Sequence, residues 1–335
     1  MRQVRVHAPH DVRIDDVAAP APGPRDAVVR VAACGICGTD VALVELGGLT
    51  GAPMALGHEI AGTVEWVGAE VSGIAIGDRV VVCPGSGDTP RLGSGADEGG
   101  LTPSLLVRDA ADGNRLFRVP DSVPLHVAAL AEPLAVGMQA VAQAEVVAGE
   151  TVAVFGCGPV GLMTIVALVE CGAQEIVAID PDPARRDLAR VLGAAHAVDP
   201  TTDDVWRSLR RIHGTVPFRY GPTPATDAFI EASGSAAVVA EILRFGRDGG
   251  RMSVVALHHA PVPTDLAMVL LKQFTIRGSF EYPPDFGQAV AALARHDLAP
   301  VITHTVSLDD FAHGLELVAA AHDCGKVLVV IDPDV

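Results

Sequence analysis

The sequence is poor in lysine, in aromatic side chains and in charge. Of its 24 basic residues only Lys272 and Lys326 are lysines, and aromatic residues make up 4% and charged residues 19% of the 335 residues. A chain with 49% hydrophobic residues and so little charge is too apolar for intrinsic disorder. We therefore expect a mainly aliphatic interior, and the length favours two domains.

Basic residues are also few relative to acidic ones. The 41 acidic residues leave a formal net charge of −17. Such a charge repels the phosphates of nucleic acids and anionic membrane surfaces. We expect neither nucleic acid nor membrane as a partner.

Cysteine is too sparse for a disulfide scaffold, and the first residues, MRQVRVHAPHDVR, lack the apolar core of a signal peptide. These features predict a cytoplasmic protein. The run Thr151–Val169 is apolar enough to mimic a membrane span. Glycines near its middle favour a buried strand, a tight turn and a helix instead.

The rhythm of the chain changes near residue 150. The first part is rich in glycine and in short apolar runs typical of strands. From Thr151 onward strand and helix patterns alternate, as in a doubly wound parallel sheet. We predict an α/β protein with a catalytic domain of residues 1–147 and 287–335, a dinucleotide-binding domain of residues 148–286, and a surface loop at 214–227.

A glycine motif, G-x-G-x-x-G, follows the apolar run TVAVF. Gly156 permits a tight turn, Gly158 allows close approach of a pyrophosphate, and Gly161 allows the strand and the next helix to pack closely. Pro159 and Val160 open that helix, whose N-terminus attracts phosphate. The motif predicts a dinucleotide site, although glycines that serve only the fold are the alternative.

Asp180 ends the next predicted strand, at the spacing of a carboxylate that binds the ribose hydroxyls. Its charge opposes a 2′-phosphate, so NAD is favoured over NADP. Arg185 and Arg186 lie close enough in sequence to weaken that preference.

Several potential metal ligands precede this domain. Cys34 and Cys37 form a C-x-x-C pair, which is also typical of a redox pair or of half a structural zinc site. His58 and Glu59 follow within GHE. Glu132 is the only charge between Asp121 and Glu145, and a buried carboxylate needs a partner such as a cation.

Together these segments resemble the zinc-dependent medium-chain alcohol dehydrogenase family. The resemblance rests on GICGTD, GHEIAGTVEWVG with GDRV, AEPLAVG, VFGCGPVGL and VAIDPDPARRDLA, in this order over nearly the whole chain. It implies a β-rich GroES-like catalytic domain and a Rossmann domain. The glutamate of AEPLAVG resembles the sorbitol, butanediol and threonine dehydrogenase branch.

By that resemblance Cys37, His58 and Glu132 would bind one catalytic zinc, with Glu59 able to exchange with water on the metal. Asp40 would orient His58, and Thr39 would accept the proton of the substrate hydroxyl. Cys34 falls outside the pattern and is expected to be a small buried side chain. The implied reaction is the NAD-dependent oxidation of a secondary alcohol to a ketone.

Two departures from the family pattern limit the resemblance. Only Cys83 stands where many members carry four zinc-binding cysteines, so we predict no structural zinc. Ala42 replaces a histidine that passes the substrate proton toward solvent, so the relay would run through Thr39 or water. A zinc-free NADPH-dependent quinone or enone reductase and a non-catalytic NAD-binding protein are the alternatives.

Two further expectations concern the second domain. The resemblance implies a homodimer or homotetramer, paired through the TIRGSF strand. His258 and His259 follow the predicted strand GRMSVVAL and could face the nicotinamide, but an exposed loop is the favoured interpretation.

Overall fold

The fold is taken from a computed structural model that describes residues 1–49, 51, 53–85, 91–320 and 324–332. Contacts divide the chain into a first unit, Met1–Glu132 with Pro284–Val335, and a second unit, Pro133–Pro283. Our predicted boundary lay at 147/148. The helix between residue 132 and that boundary belongs mostly to the second unit. It packs closely there, since a Cβ at Gly137 would lie 2.7 Å from the backbone of Met163.

The elements up to Ala128 are β1 (Arg2–Ala8), β2 (Asp11–Asp16), β3 (Ala27–Ile36), α1 (Gly38–Leu46), β4 (Met54–Ala55), β5 (Glu59–Val67), β6 (Arg79–Val82), β7 (Ser104–Val107), β8 (Leu116–Arg118) and α2 (Leu125–Ala128). From Ala131 to Gly278 follow α3 (Ala131–Gln143), β9 (Thr151–Phe155), α4 (Pro159–Cys171), β10 (Glu175–Ile179), α5 (Pro183–Val191), β11 (His196–Val198), α6 (Val205–His213), β12 (Thr215–Val216), β13 (Thr223–Pro224), β14 (Ala228–Glu231), α7 (Ala236–Phe245), β15 (Arg251–Val254), α8 (Leu266–Lys272) and β16 (Thr275–Gly278). The chain closes with α9 (Gly287–Leu293), a 3₁₀ turn (Ala299–Val301), β17 (Ile302–Ser307), α10 (Phe311–Ala320) and β18 (Lys326–Val330).

The first unit is built on a mixed sheet in the order β17-β18-β3-β5-β6-β8, with β7 paired to β3. The C-terminal strand β18 runs antiparallel to β3, with Val327 opposite Ile36. Nearly every residue of β3 is buried, which explains its apolar sequence AVVRVAACGI. This pairing brings Lys326, the first residue of β18, close to the end of β3 at Ile36.

The second unit contains the doubly wound sheet that the alternating pattern predicts. Its strands are parallel and lie in the order β11-β10-β9-β14-β15-β16. The order reverses between β9 and β14, the point at which such sheets bind ligands at the carboxyl ends of their strands. Helix α8 was not predicted, and the expected surface loop at 214–227 contains the short hairpin β12-β13 with Thr223 and Thr226 buried.

A lysine closes the C-terminal end of α7. The Lys272 side chain is completely buried, and its ammonium donates hydrogen bonds to the carbonyls of Leu243 (2.8 Å), Arg244 (2.7 Å) and Gly246 (2.7 Å). The last carbonyls of a helix lack partners within the helix. The three donors of one ammonium satisfy three of these acceptors at once.

The apolar run Thr151–Val169 forms β9, the glycine turn and most of α4, as predicted. A different stretch, Leu125–Gln143, is long and apolar enough to cross a membrane, but 72% of it is buried inside the protein. The core helix of a globular protein has the same length and composition.

His213, at the end of α6, makes the stability of the second unit depend on pH. Its Nδ1 lies 2.8 Å from the Thr226 hydroxyl, and its buried Nε2 has no hydrogen-bond partner among the described residues. Burial lowers the pKa of His213 to about 4. The unfolded chain therefore binds a proton first, and the stability present above pH ~6.5 is lost as pH falls toward 4.

We expect the free energy of unfolding of the wild-type protein to fall by about 2 kcal/mol between pH 7 and pH 5 because of His213. In His213→Gln this contribution to the fall should be absent. The measurement is urea unfolding in a Trp66→Phe background, where Trp206 of the second unit is the remaining tryptophan. Exposed His126 provides a control, and His126→Gln should keep the wild-type pH dependence. Equal pH dependence in wild type and His213→Gln would contradict the assignment.

Candidate functional site

Cys37 lies between the buried strand β3 and helix α1. The N-terminus of a helix carries a partial positive charge, which favours an anionic ligand at this position. The Cys37 Sγ lies 3.7 Å from the hydroxyl oxygen of Thr39, an exposed residue in the first turn of α1. The predicted ligand and the predicted proton acceptor are thus neighbours.

Asp40 connects the two segments that carry the predicted ligands. Its fully buried carboxylate accepts hydrogen bonds from the N–H groups of Cys37 (2.9 Å) and Gly57 (3.3 Å). Its Oδ1 lies 3.7 Å from His58 Nδ1, which is close enough for an ion pair but too long for a hydrogen bond. Burial raises the pKa of Asp40.

Glu59 is paired with Lys326, a residue far from it in sequence. Its buried Oε1 pairs with Lys326 Nζ, which also donates to the carbonyl of Ile36 at 3.1 Å. Gly35 makes room for this carboxylate, since a Cβ there would lie 1.8 Å from Glu59 Oε2. Burial acts to lower the pKa of Lys326, but Glu59, together with Cys37 and Glu132, outweighs it and raises that pKa.

The ligand atoms of Cys37, His58 and Glu59 lie within 4.8 Å of one another. Among the described residues they form a group that could hold a metal ion, and Glu132 is not part of that group. Glu132 is nevertheless buried, in the first turn of α3, and its charge acts on His58. Burial alone would lower the pKa of His58, but Asp40, Cys37 and Glu132 raise it well above its usual value.

These residues fit a zinc ion. Within the described part of the chain, His58 Nδ1 and Glu59 Oε2 are buried without a hydrogen-bond partner. Sulfur, imidazole nitrogen and carboxylate oxygen are the ligands that zinc takes in proteins. The carboxylates of Asp40 and Glu59 are both buried here, with the single buried ammonium of Lys326 beside them. A divalent cation would offset that excess of negative charge.

Two other cysteines bear on the metal predictions. Cys34 is completely buried, as expected of a small core side chain. Cys83 is also buried, at the start of the segment where the family often carries a structural zinc. Residues 86–90 of that segment lie outside the described residues, so the absence of a structural zinc stays a prediction.

The glycine motif forms the turn between β9 and α4. Gly156 has φ +93°, and a Cβ there would lie 2.7 Å from the backbone of Ala232 and Ser233. A Cβ at Gly161 would lie 1.9 Å from the Gly156 carbonyl oxygen, whereas one at Gly158 would point into open space. Pro159 and Val160 form the first turn of α4. Open space at a helix N-terminus suits a pyrophosphate.

Asp180, the predicted ribose ligand, lies just after β10 and holds this turn. Its buried Oδ2 accepts the Cys157 N–H at 2.7 Å, and its Oδ1 accepts the Asp182 N–H at 2.8 Å. Arg186 donates to the carbonyls of Asp180 and Pro181, both at 2.7 Å, and pairs with Asp199. Arg185 lies in the first turn of α5.

The expectation of an exposed loop is wrong for His258. His259 is exposed, but the His258 side chain is 14% exposed and its Nε2 lies 2.9 Å from Oε2 of the completely buried Glu231. No pattern around His258 indicated this contact, because Glu231 ends a different strand. Lys326 was likewise missed, and its rarity as one of two lysines was the available signal.

Both parts of the chain match families of known proteins. Residues 23–111 match the alcohol dehydrogenase GroES-like domain, and residues 159–295 match the zinc-binding dehydrogenase family. L-threonine 3-dehydrogenase of Deinococcus deserti is 31% identical over 94% of both chains. Human sorbitol dehydrogenase is 30% identical over 93% of this chain and 90% of its own.

Solved structures agree with these matches. The 2R,3R-butanediol dehydrogenase of Bacillus subtilis is 28% identical and superimposes with a TM-score of 0.87 over 99% of both chains. A zinc-binding dehydrogenase from Sinorhizobium meliloti, bound to NADP, is 29% identical, with a TM-score of 0.86 over 98% of both chains. With the two-part fold and the cluster of Cys37, His58 and Glu59, these matches show that the chain belongs to the zinc-dependent medium-chain alcohol dehydrogenase family.

Proposed function

We propose that the protein oxidises a secondary alcohol to a ketone, reversibly, with NAD as the hydride acceptor and one catalytic zinc per chain. The observation that carries the proposal is the cluster of Cys37, His58 and Glu59, whose ligand atoms lie within 4.8 Å of one another, with Glu59 Oε2 buried without a hydrogen-bond partner among the described residues. The glycine turn of the second unit supplies the site for the dinucleotide.

Cys37, His58 and Glu132 would hold the zinc, leaving a position for the substrate hydroxyl. Bound there, zinc would lower the pKa of the substrate hydroxyl, as it lowers the pKa of bound water. Lys326 keeps one oxygen of Glu59 engaged, so Glu59 offers only Oε2 to the metal. Asp40 fixes the backbone at Cys37 and Gly57 and so sets the positions of the first two ligands.

In the reaction the alcohol loses a proton from oxygen and a hydride from carbon, giving a ketone, NADH and one proton. Thr39 Oγ1 would accept the hydrogen bond of the substrate hydroxyl and pass its proton to water, because Ala42 offers no proton acceptor. The exposure of Thr39 supports that short route.

NAD is favoured over NADP by Asp180, whose carboxylate would repel a 2′-phosphate. The contacts of Arg186 with two carbonyls and with Asp199 also favour NAD, because this guanidinium is already engaged.

The relatives suggest the substrate class. Threonine, sorbitol and butanediol each carry a hydroxyl beside a carbon with a second hydroxyl or an amine. We propose a substrate with such a neighbouring heteroatom, encountered in the cytoplasm, where the six free thiols stay reduced.

Zinc analysis and NADH formation test this function together. Protein purified without chelator should contain about one zinc per chain and reduce NAD with vicinal diols, polyols or hydroxy amino acids in preference to hydrophobic secondary alcohols. The proposal would be overturned if the purified protein lacks zinc and added zinc does not restore its activity. Activity of such protein with quinones and NADPH would favour the zinc-free reductase, and NADH binding without turnover would favour the non-catalytic protein.

The edge strand β16 supports a homodimer or homotetramer. It ends the parallel sheet, and Ile276 on this strand, Phe280 after it and Leu266 and Leu270 in the preceding helix α8 are exposed. An unpaired apolar edge is a template for a second copy of the chain.

We expect Leu270→Asp with Ile276→Lys to reduce the mass in solution to that of one 34.5 kDa chain, measured by light scattering. Leu46→Asp, at an exposed site of the first unit, is the control and should leave the mass unchanged. A multimer that survives the double substitution would exclude this edge as the interface.

A further inference from the structure

The carboxylate of Glu231 binds two loops at the carboxyl ends of neighbouring strands. Its Oε1 accepts hydrogen bonds from Ser233 N (2.9 Å), Ser233 Oγ (2.5 Å) and Gly234 N (2.9 Å), all in the turn after β14. Its Oε2 lies 2.9 Å from His258 Nε2, in the loop after β15. The Glu231 side chain is completely buried, so each donor offsets a large cost of desolvation.

The turn after β14 also contacts the glycine turn, and the loop after β15 is bonded to the end of β14. A Cβ at Gly156 would lie 2.7 Å from the backbone of Ala232 and Ser233, so these two turns are in direct contact. The Glu231 carbonyl accepts the N–H groups of Val255 (3.0 Å) and Ala256 (3.2 Å). The turn after β9, the turn after β14 and the loop after β15 thus form one connected surface.

The order of the strands predicts which half of the dinucleotide this surface would contact. A dinucleotide on a doubly wound sheet crosses the point where the strand order reverses, here between β9 and β14. Asp180, the predicted ribose ligand of the adenosine half, follows β10 on one side of that point. The nicotinamide half therefore falls on the other side, over the ends of β14 and β15.

We propose that His258, held by Glu231, is a positioning residue for the nicotinamide half of the cofactor. The inference rests on the proposed dinucleotide site. In the tautomer with its proton on Nε2, His258 donates to the carboxylate and fixes the loop after β15 before the cofactor binds. Affinity is gained because the loop is already ordered when the nicotinamide arrives.

ADP-ribose, which lacks the nicotinamide, separates this role from a general role in the fold. We expect His258→Ala to weaken NADH binding about tenfold or more and to leave ADP-ribose binding within about twofold, as titrations of the zinc-loaded protein would measure. His258→Gln keeps an N–H donor for Glu231 and should restore most of the NADH affinity. His259→Ala, at the exposed neighbour, should bind both ligands as the wild type does.

Each other outcome overturns the proposal. Equal weakening of NADH and ADP-ribose in His258→Ala would show that the pair stabilises only the fold, and unchanged NADH binding would show that the loop does not contact that half. Wild-type protein that binds neither ligand would refute the dinucleotide site itself. Glu231→Gln, which keeps the shape but not the charge, should weaken NADH selectively if His258→Ala proves unstable.

Discussion

Glu132→Ala should lose most of its zinc and lower kcat for alcohol oxidation by on the order of 10³-fold, while NADH binds nearly as in the wild type. A metal that acts as a Lewis acid supplies several kcal/mol to the reaction, and each 1.36 kcal/mol is a factor of ten in rate. We expect NADH binding to survive because the glycine turn that would bind the dinucleotide lies in the second unit, whereas Glu132 belongs to the first. Zinc per folded chain, kcat and the Kd of NADH are the measurements.

Glu59 is the rival for the third ligand position, because its ligand atom is grouped with those of Cys37 and His58. We expect Glu59→Gln to retain more zinc than Glu132→Ala but to be less stable, since the buried Lys326 loses its counter-charge. Asp121→Ala, at an exposed acidic residue before α2, should retain both zinc and activity. Full zinc in Glu132→Ala combined with loss of zinc in Glu59→Gln would make Glu59 the third ligand.

Asp180→Asn should shift the ratio of kcat/KM for NADP to that for NAD by on the order of 10²-fold toward NADP. Placing like charges together in a binding site costs several kcal/mol, and the amide removes that repulsion of the 2′-phosphate. Asparagine keeps one oxygen for the Cys157 or Asp182 N–H, so the turn retains part of its support. Initial rates with both cofactors, at a fixed alcohol concentration, give the ratio.

The matched control is Asp187→Asn, which removes one exposed negative charge from α5 and should leave the ratio unchanged. If Asp180→Asn weakens both cofactors equally, Asp180 acts mainly by supporting the glycine turn. If neither cofactor is affected, the ribose is bound elsewhere and the preference for NAD must have another cause.

The doubly wound sheet could be predicted because each of its strands and helices repeats a local pattern. Runs such as TVAVF and EIVAI, separated by helical stretches, carry their burial in their own composition. Cys37 and His58 were singled out by the family resemblance, and the structure brings them together with Glu59. The hairpin within 214–227 could not be predicted, because its strands of two residues leave no periodicity to read.

Contacts between residues that are far apart in sequence could not be predicted. Lys326 meets Glu59 across 267 positions, through the pairing of β18 with β3, and His258 meets Glu231 because their strands are neighbours in the sheet. Both contacts join buried charged or polar groups. Composition indicates only that such groups need partners, and topology decides which ones they receive.

Each unit contains a single lysine, and both ammonium groups are buried in networks of acceptors. A reagent that acylates primary amines therefore reaches Lys326 when the first unit opens and Lys272 when the second unit opens. The two acylation rates, read by mass spectrometry on the unaltered protein, would report the opening free energy of each unit separately. With Arg as every other basic side chain, no competing lysine signal would mask either site.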